Sequence, residues 1–422
     1  MNPAVPGRPH LLLFGWYRPG TGFTRVLEAL VPHLARDYRI TWMGVGYRGP
    51  VREWAPGIRL EPTNLEGGDM VGAYAARLRW RELAPDLVFA LNDPWYLEHY
   101  SRELTRLLDA VPMVGYLPLD GRLDTPGELS RLTGYRCLLT YTETAAGNLR
   151  ETLEAAGNPI PVECLGHGVD TVRFRPDPRI NAETIFGPGP ESPDRDLKRR
   201  RMELARRFFG LPDPAFVVLN AARPDPRKRI DLTLEAFARF ARDRPNNVRL
   251  CLHQALGHPE QVEPLRARAV ELGIEDRVIW HPPKPGPLSD HGLNRLFNAC
   301  AVGINTAAGE GFGLVSFEHA ATGVPQILPD QPALRELWGD AAMRPGTRSV
   351  RTPFSPLEMV EVSADETAEV LGRLHDEPDL YRRMSQAARE RATAPDLEWR
   401  RIGTTLRRIL RKTAGASAGK PL

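Results

Sequence analysis

In the stretch GEGFGLVSFEHAATGVP at 309–325, Glu310 stands just ahead of Gly311 and Gly313, and Glu318 follows in the same segment. Glycine amides at the start of a helix favour an anion near Gly311, Phe312, Gly313 and Leu314. Carboxylates do not suit that anion, but they accept hydrogen bonds from hydroxyls on either side of it. The combination describes a phosphate flanked by two hydroxyl-rich groups, as in a sugar nucleotide. The plainer alternative makes Glu310 a helix cap and Glu318 a surface residue.

A second group of chemically able residues lies in FVVLNAARPDPRKRIDLTLEAFARF at 216–240, where a strand ends at Asn220 and a helix begins near Asp231. Between them stand Arg223 and Lys228, two cations able to neutralise a diphosphate, one as a planar fork and one as a point charge. Lysine is rare in this chain, found only at 198, 228, 284, 412 and 420, so its presence here carries weight. A third turn, GWYRPGTGFTRV, has Gly20 and Gly22 where the backbone could approach a ligand closely. Thr21 stands where a phosphate-binding P-loop needs lysine, and no GxGxxG follows the first strand. That excludes both the ATPase and the dinucleotide fingerprint.

These residues need a scaffold. Apolar runs near 11–15, 39–45, 86–91, 112–117 and 136–141 alternate with helix-like segments at 23–36, 71–83, 98–109 and 143–156. A second alternation starts after residue 214, with strands in AFVVLNA, VRLCLH, RVIWH, AVGIN and PQILPD and helices near 231–242, 259–272, 292–299 and 314–322. Repeated βαβ units predict an α/β protein of two doubly wound domains, with ligands at the carboxyl ends of the strands. The expected division is an N-terminal domain over 1–176, a linker and exposed loop over 177–213, and a C-terminal domain over 214–394. A helix over 395–413 and a disordered tail over 414–422 follow. In that helix Trp399, Ile402, Leu406 and Leu410 recur at helical spacing, and Arg400, Arg401, Arg407, Arg408, Arg411 and Lys412 form a basic face. The face is solvated or touches anionic lipid or a phosphorylated acceptor.

Bulk composition narrows the class. A chain of 422 residues exceeds the size of one core, and 42% hydrophobic with 26% charged residues is globular. The apolar runs are short, which argues against a membrane span, and the N-terminus is too proline-rich for a secretory signal. The four cysteines are scattered without a CxxC pair, consistent with reduced thiols in the cytoplasm. A net charge of +3 is too small to imply nucleic acid.

The order of Arg223 and Lys228 followed by Glu310 and Glu318 around GFG resembles the donor site of the retaining glycosyltransferase family four. LGHGVDTVRFRP at 165–176 resembles that family's hinge, and the helix carrying Trp399 resembles the one that crosses back to the N-domain. The resemblance implies the GT-B fold, two Rossmann-like domains facing a central cleft. It implies that Arg223 and Lys228 hold the donor diphosphate, and that Glu318 accepts from the nucleotide ribose. Glu310 with the amides of Gly311, Phe312 and Gly313 would hold the transferred sugar. Gly20 and Gly22 would face the donor from the other domain, and Thr306 and His281 would touch a phosphate or the base. Family members carry a histidine beside the reacting sugar; here MVGYLPLDG offers Asp120, which could orient the sugar, act as a base, or be a turn residue. His167 reads as structural.

The expectation is an enzyme moving a sugar from a nucleotide-diphosphate-sugar donor to an acceptor hydroxyl of a glycan, lipid-linked, protein or small-molecule acceptor. Retention of configuration is implied by the resemblance alone. No DxD pair or histidine cluster is present at a cleft edge, so neither a catalytic metal nor another cofactor is expected. The rivals are a sugar-nucleotide epimerase or hydrolase on the same architecture and a binding protein without turnover.

Overall fold

The computed structural model describes residues 7–63, 65–123, 129, 131–180, 197–254, 257–282, 286–351 and 356–417. They form two compact units. The first comprises Met1–Gly168, Pro353–Leu357 and Asp396–Leu422, and the second Val169–Thr352 and Glu358–Pro395. The N-terminal segment of the first unit thus ends at Gly168, ahead of the boundary at 176 expected from the sequence. GPGPESPDRD at 187–196, the expected exposed loop, lies outside the described residues.

The first unit is built on strands β1 (His10–Trp16), β2 (Arg39–Val45), β3 (Arg52–Ala55), β4 (Ile58–Pro62), β5 (Leu87–Leu91) and β6 (Met113–Tyr116). After the two-residue β7 (Arg122–Leu123) come β8 (Tyr135–Thr140) and β9 (Val162–Cys164). The sheet order is β3-β4-β2-β1-β5-β6-β8-β9, parallel throughout except for β3 against β4. Strand β5 is buried along its whole length, as a parallel strand covered on both faces by helices must be. The order turns back between β1 and β5, and there Trp16 Nε1 donates to Asn92 Oδ1 at 3.0 Å.

The segment expected to be one helix over 71–83 is broken into Ala73–Leu78 and Trp80–Leu83. The C-terminal helix is Trp399–Ser417, preceded by a single 3-10 turn at Pro395–Leu397. It starts later and runs further than the sequence suggested, into the expected tail, of which 418–422 lies outside the described residues. Ile402, Leu406 and Leu410 are buried as their spacing requires. Part of the basic face is used for docking within this unit: Arg407 and Arg411 reach Asp37 at 2.6 and 2.7 Å. A Cβ added at Gly403 would stand 2.5 Å from His33, and one at Gly168 2.6 Å from Trp399, so both glycines are required by close approach. His167 is buried against Tyr116, Tyr141 and Trp399, and burial drives its pKa down to about 3. It is a neutral packing residue, as expected.

The second unit is built on β10 (Phe216–Asn220), β11 (Val248–His253), β12 (Val278–His281), β13 (Val302–Ile304) and β14 (Gln326–Ile327), all parallel in the order β12-β11-β10-β13-β14. An antiparallel hairpin, β15 (Thr347–Arg351) with β16 (Leu357–Val362), follows. Neither this hairpin nor the helices Pro332–Trp338, Ala364–Asp376 and Pro378–Ala392 were expected from the sequence. Strand order reverses between β10 and β13, which makes the loops after these two strands the ligand-binding point of a doubly wound sheet. Among the described residues, no helix is long and apolar enough to cross a membrane.

Candidate functional site

The loop after β10 carries the cations, and short side chains fix its path. Asn220 Oδ1 accepts from Ala222 N at 2.9 Å while its amide donates to Thr233 Oγ1 at 2.8 Å. Asp225 Oδ1 then accepts from Arg227 N at 3.0 Å and starts the turn Pro226–Lys228. Arg229 has φ of 45°, and its guanidinium pairs with Asp231 and Glu361. Lys228 is thereby turned inward, with 9% of its surface exposed, whereas Arg223 stays exposed and makes no side-chain hydrogen bond among the described residues.

The loop after β13 meets this one. Arg227 donates to the Gly309 carbonyl, and Ala308 N donates to Arg227 O at 2.8 Å. Thr306 is 1% exposed, and its hydroxyl donates to Arg229 O at 2.8 Å beside Thr233 Oγ1 at 2.7 Å. The sequence offered Thr306 as a ligand contact; the structure uses its hydroxyl to bolt the two loops together.

Lys228 Nζ lies 2.6 Å from Glu310 Oε2, which also accepts from Asn305 Nδ2 at 3.3 Å. Burial pushes the Glu310 carboxyl up, but Lys228 and Arg227 outweigh it, so the group is held below its ordinary value and stays charged. Glu310 is therefore no helix cap: the cap position is Gly313, in the left-handed region with φ of 78°. Gly311, Phe312 and Gly313 are buried in the turn, Leu314 is half-buried, and the helix Leu314–Ala320 follows. Glu318 is 3% exposed, which removes the surface-residue alternative. Gln331 Nε2 donates to Glu310 O at 2.9 Å, a support that no spacing in the sequence betrays.

Strand ends β11 and β12 complete this edge. His253 Nδ1 and His281 Nδ1 are 2.9 Å apart, one donating and one accepting. Burial, with His281 next, pushes His253 down to about 4, and burial also lowers His281, so both are neutral near pH 7. His281 is half-buried and turned toward its partner, while Gln254 Nε2 donates to Ala222 O at 3.0 Å and joins this edge to the cation loop.

In the first unit, Gly20 has φ of 85° and Gly22 opens the helix Gly22–Leu34, both exposed at the end of β1. Thr24 Oγ1 accepts from Arg18 N at 2.8 Å and donates to Trp16 O at 3.1 Å, which ties the turn down. Asp120 is half-buried in the turn beyond β6. The structure thus brings Lys228, Glu310 and Thr306 together on one unit, which also carries Arg223, Glu318 and His281, and places Gly20, Gly22 and Asp120 on the other.

Residues 202–391 match the family described as glycosyl transferases, group 1. The chain is 30% identical over 413 residues to D-inositol 3-phosphate glycosyltransferase of Streptomyces scabiei, covering 88% of this chain and 83% of the relative. Among solved structures, sucrose-phosphate synthase of Thermosynechococcus elongatus superposes with a TM-score of 0.71 at 16% identity, over 97% of this chain and 100% of that one. Anabaena HepE in complex with UDP-glucose gives 0.66 at 16% identity, over 96% and 100%.

Proposed function

The chain belongs to the group 1 glycosyltransferases and has the GT-B fold, and from that membership we propose how its own residues handle the donor and which donor and acceptor it takes. As a glycosyltransferase it moves a sugar from a nucleotide-sugar donor. In our reading Arg223 and Lys228 receive the donor diphosphate, Glu310 and the 311–313 turn hold the transferred sugar, and Glu318 accepts from the ribose hydroxyls.

The observation that carries this reading is the Lys228–Glu310 pair at 2.6 Å, spanning the loops at the point where strand order reverses. An ammonium has three donors, and Glu310 engages one. The others remain for a phosphate, while the second carboxylate oxygen remains for a sugar hydroxyl. One ion pair thus spans the bond to be broken, with the cation on the leaving-group side. Negative charge accumulates on the diphosphate as that bond lengthens; Lys228, held by Glu310, stabilises it without reorganisation, and the exposed Arg223 adds a second cation. These two cations supply the charge neutralisation, so the reading needs no metal or other cofactor. Asp120 is assigned to the sugar or acceptor and the Gly20–Gly22 turn to the donor, and the anomeric configuration is retained.

For the donor we favour a UDP-sugar, because a UDP-glucose complex stands among the structural neighbours. For the acceptor we favour a small phosphorylated polyol or sugar, because the relatives include an inositol phosphate glycosyltransferase. The test is incubation with UDP-, GDP- and ADP-sugars, with D-inositol 3-phosphate, neutral pyranosides or no acceptor, while following free nucleotide. Acceptor-dependent UDP release supports the reading. Release without acceptor points to a hydrolase, and tight nucleotide binding without release to a binding protein.

A further inference from the structure

Arg201, on the helix Leu197–Phe209, is fully buried, and it meets two carbonyls and the Tyr381 hydroxyl rather than a carboxylate. Nη2 donates to Thr322 O at 2.7 Å and Nη1 to Asn298 O at 3.3 Å. Arg389, on the helix Pro378–Ala392, donates to Ala321 O. These carbonyls close the C-termini of two helices: Asp290–Ala299, and Leu314–Ala320, which carries Glu318. A helix C-terminus bears partial negative charge, so the two helix ends stand in for the missing carboxylate. Burial lowers the Arg201 pKa, a sign that this compensation is incomplete. Apolar residues often replace buried charges with no loss of stability, so a buried guanidinium in this place calls for a role beyond stability.

The helix it grips supplies that role. Leu314–Ala320 is 7 residues long, too short to hold its own orientation. Packing clamps its sides, with Phe317 stacked on Trp338 at 4.2 Å and His319 on Phe297 at 4.9 Å. Axial position depends on hydrogen bonds, because stacked rings alone can slide: His319 Nε2 donates to Phe297 O at 3.1 Å, and Arg201 and Arg389 hold the carbonyls at the helix end. Glu318 lies one turn from those carbonyls, so a shift of the helix end is passed directly to its carboxylate.

We propose that Arg201 and Arg389 are positioning residues that set the height and rotation of the Leu314–Ala320 helix, and thereby place Glu318 against the donor ribose. The proposal rests on the assignment of Glu318 to the ribose made above. Arg201→Met keeps length and apolar volume while removing the charge, and Arg201→Lys keeps the charge without the fork. The test is calorimetric titration of the full chain with UDP and with 2′,3′-dideoxy-UDP, which lacks the hydroxyls that Glu318 would hold. Hydrogen bonds to a charged acceptor predict about 30-fold preference for UDP in the wild type. Glu318→Ala abolishes this preference, Arg201→Met and Arg389→Met reduce it below about 5-fold, and Arg201→Lys restores part of it. Leu371→Ala, a core substitution in the same unit, lowers stability and leaves the preference intact. Wild-type preference in Arg201→Met overturns the positioning role, whatever happens to its melting temperature. Wild-type preference in Glu318→Ala, or no binding of UDP to the wild type, overturns the site assignment as well.

Discussion

The pair of Lys228 and Glu310 carries most of the account at the scale of single residues. Their side chains are 11% and 16% exposed, so removing one partner leaves a largely buried charge. Lys228→Met should therefore lose about 1–3 kcal/mol of unfolding free energy, and the double change with Glu310→Gln should recover part of it, as urea titrations of the three variants can measure. Transfer rates separate function from folding: each single change should lower kcat/KM by at least about 100-fold, and the double change should not restore it. Wild-type turnover in either single variant would refute the assignment. The sequence carried both residues through their types and their places at strand ends. It could not show that they touch, since they are 82 residues apart and meet only because β10 and β13 are neighbours. Asn305, Gln331 and Arg227 were missed for the same reason, and Thr306, expected as a ligand contact, has its hydroxyl engaged by Arg229 O and Thr233 Oγ1.

Among the elements, the glycine turn and the C-terminal helix make separate predictions. Gly313 has φ of 78°, so Gly313→Ala should cost about 1 kcal/mol by denaturant unfolding and reduce activity further by resetting the turn that follows Glu310. The Trp399–Ser417 helix is docked by Arg407 and Arg411, whose hydrogen bonds, Arg407 first and opposed by burial, bring Asp37 down to about 2 from an ordinary 3.8. A carboxyl depressed in the folded state contributes stability above its unfolded pKa and loses it as pH falls through the folded one. Asp37→Asn should therefore cost about 2 kcal/mol at pH 7 and almost nothing near pH 2, a difference that thermal melts at the two pH values would reveal. The central strands of both sheets and the helices between them were legible from alternation and periodicity, but the three helices after residue 331 were not assigned. The β15–β16 hairpin was not: its residues are largely exposed or half-buried, so no apolar pattern marks it. The 71–83 segment read as one helix because apolar spacing continues across Arg79, whose backbone leaves the helical region with ψ of 13°.

For the molecule as a whole, burial of neutral histidines sets the acid limit. His167 and His319 are driven down to about 3 and His253 to about 4, chiefly by desolvation, from an ordinary value of 6.5. The unfolded chain takes up these protons below pH 6.5 and the folded chain does not, so stability falls with acidification from about pH 6. These three groups alone give a slope of about 4 kcal/mol per pH unit before the carboxylates begin to titrate, with His10, His33, His281 and His375 lowered by burial in the same direction, and His167→Phe should reduce the slope by about 1.4 kcal/mol per pH unit. Chemical unfolding at pH 7, 6 and 5 measures both. The two-unit plan was readable because each unit repeats a βαβ alternation, while the placement of its ligand edge followed only once strand order was known. Donor cleavage through the Lys228–Glu310 pair is tested by measuring UDP release from a UDP-sugar panel by the wild type and by Lys228→Ala, with and without acceptor. The wild type should release UDP in an acceptor-dependent way and the variant at least about 100-fold less; equal release by the two proteins, or none from any donor, would refute the assignment.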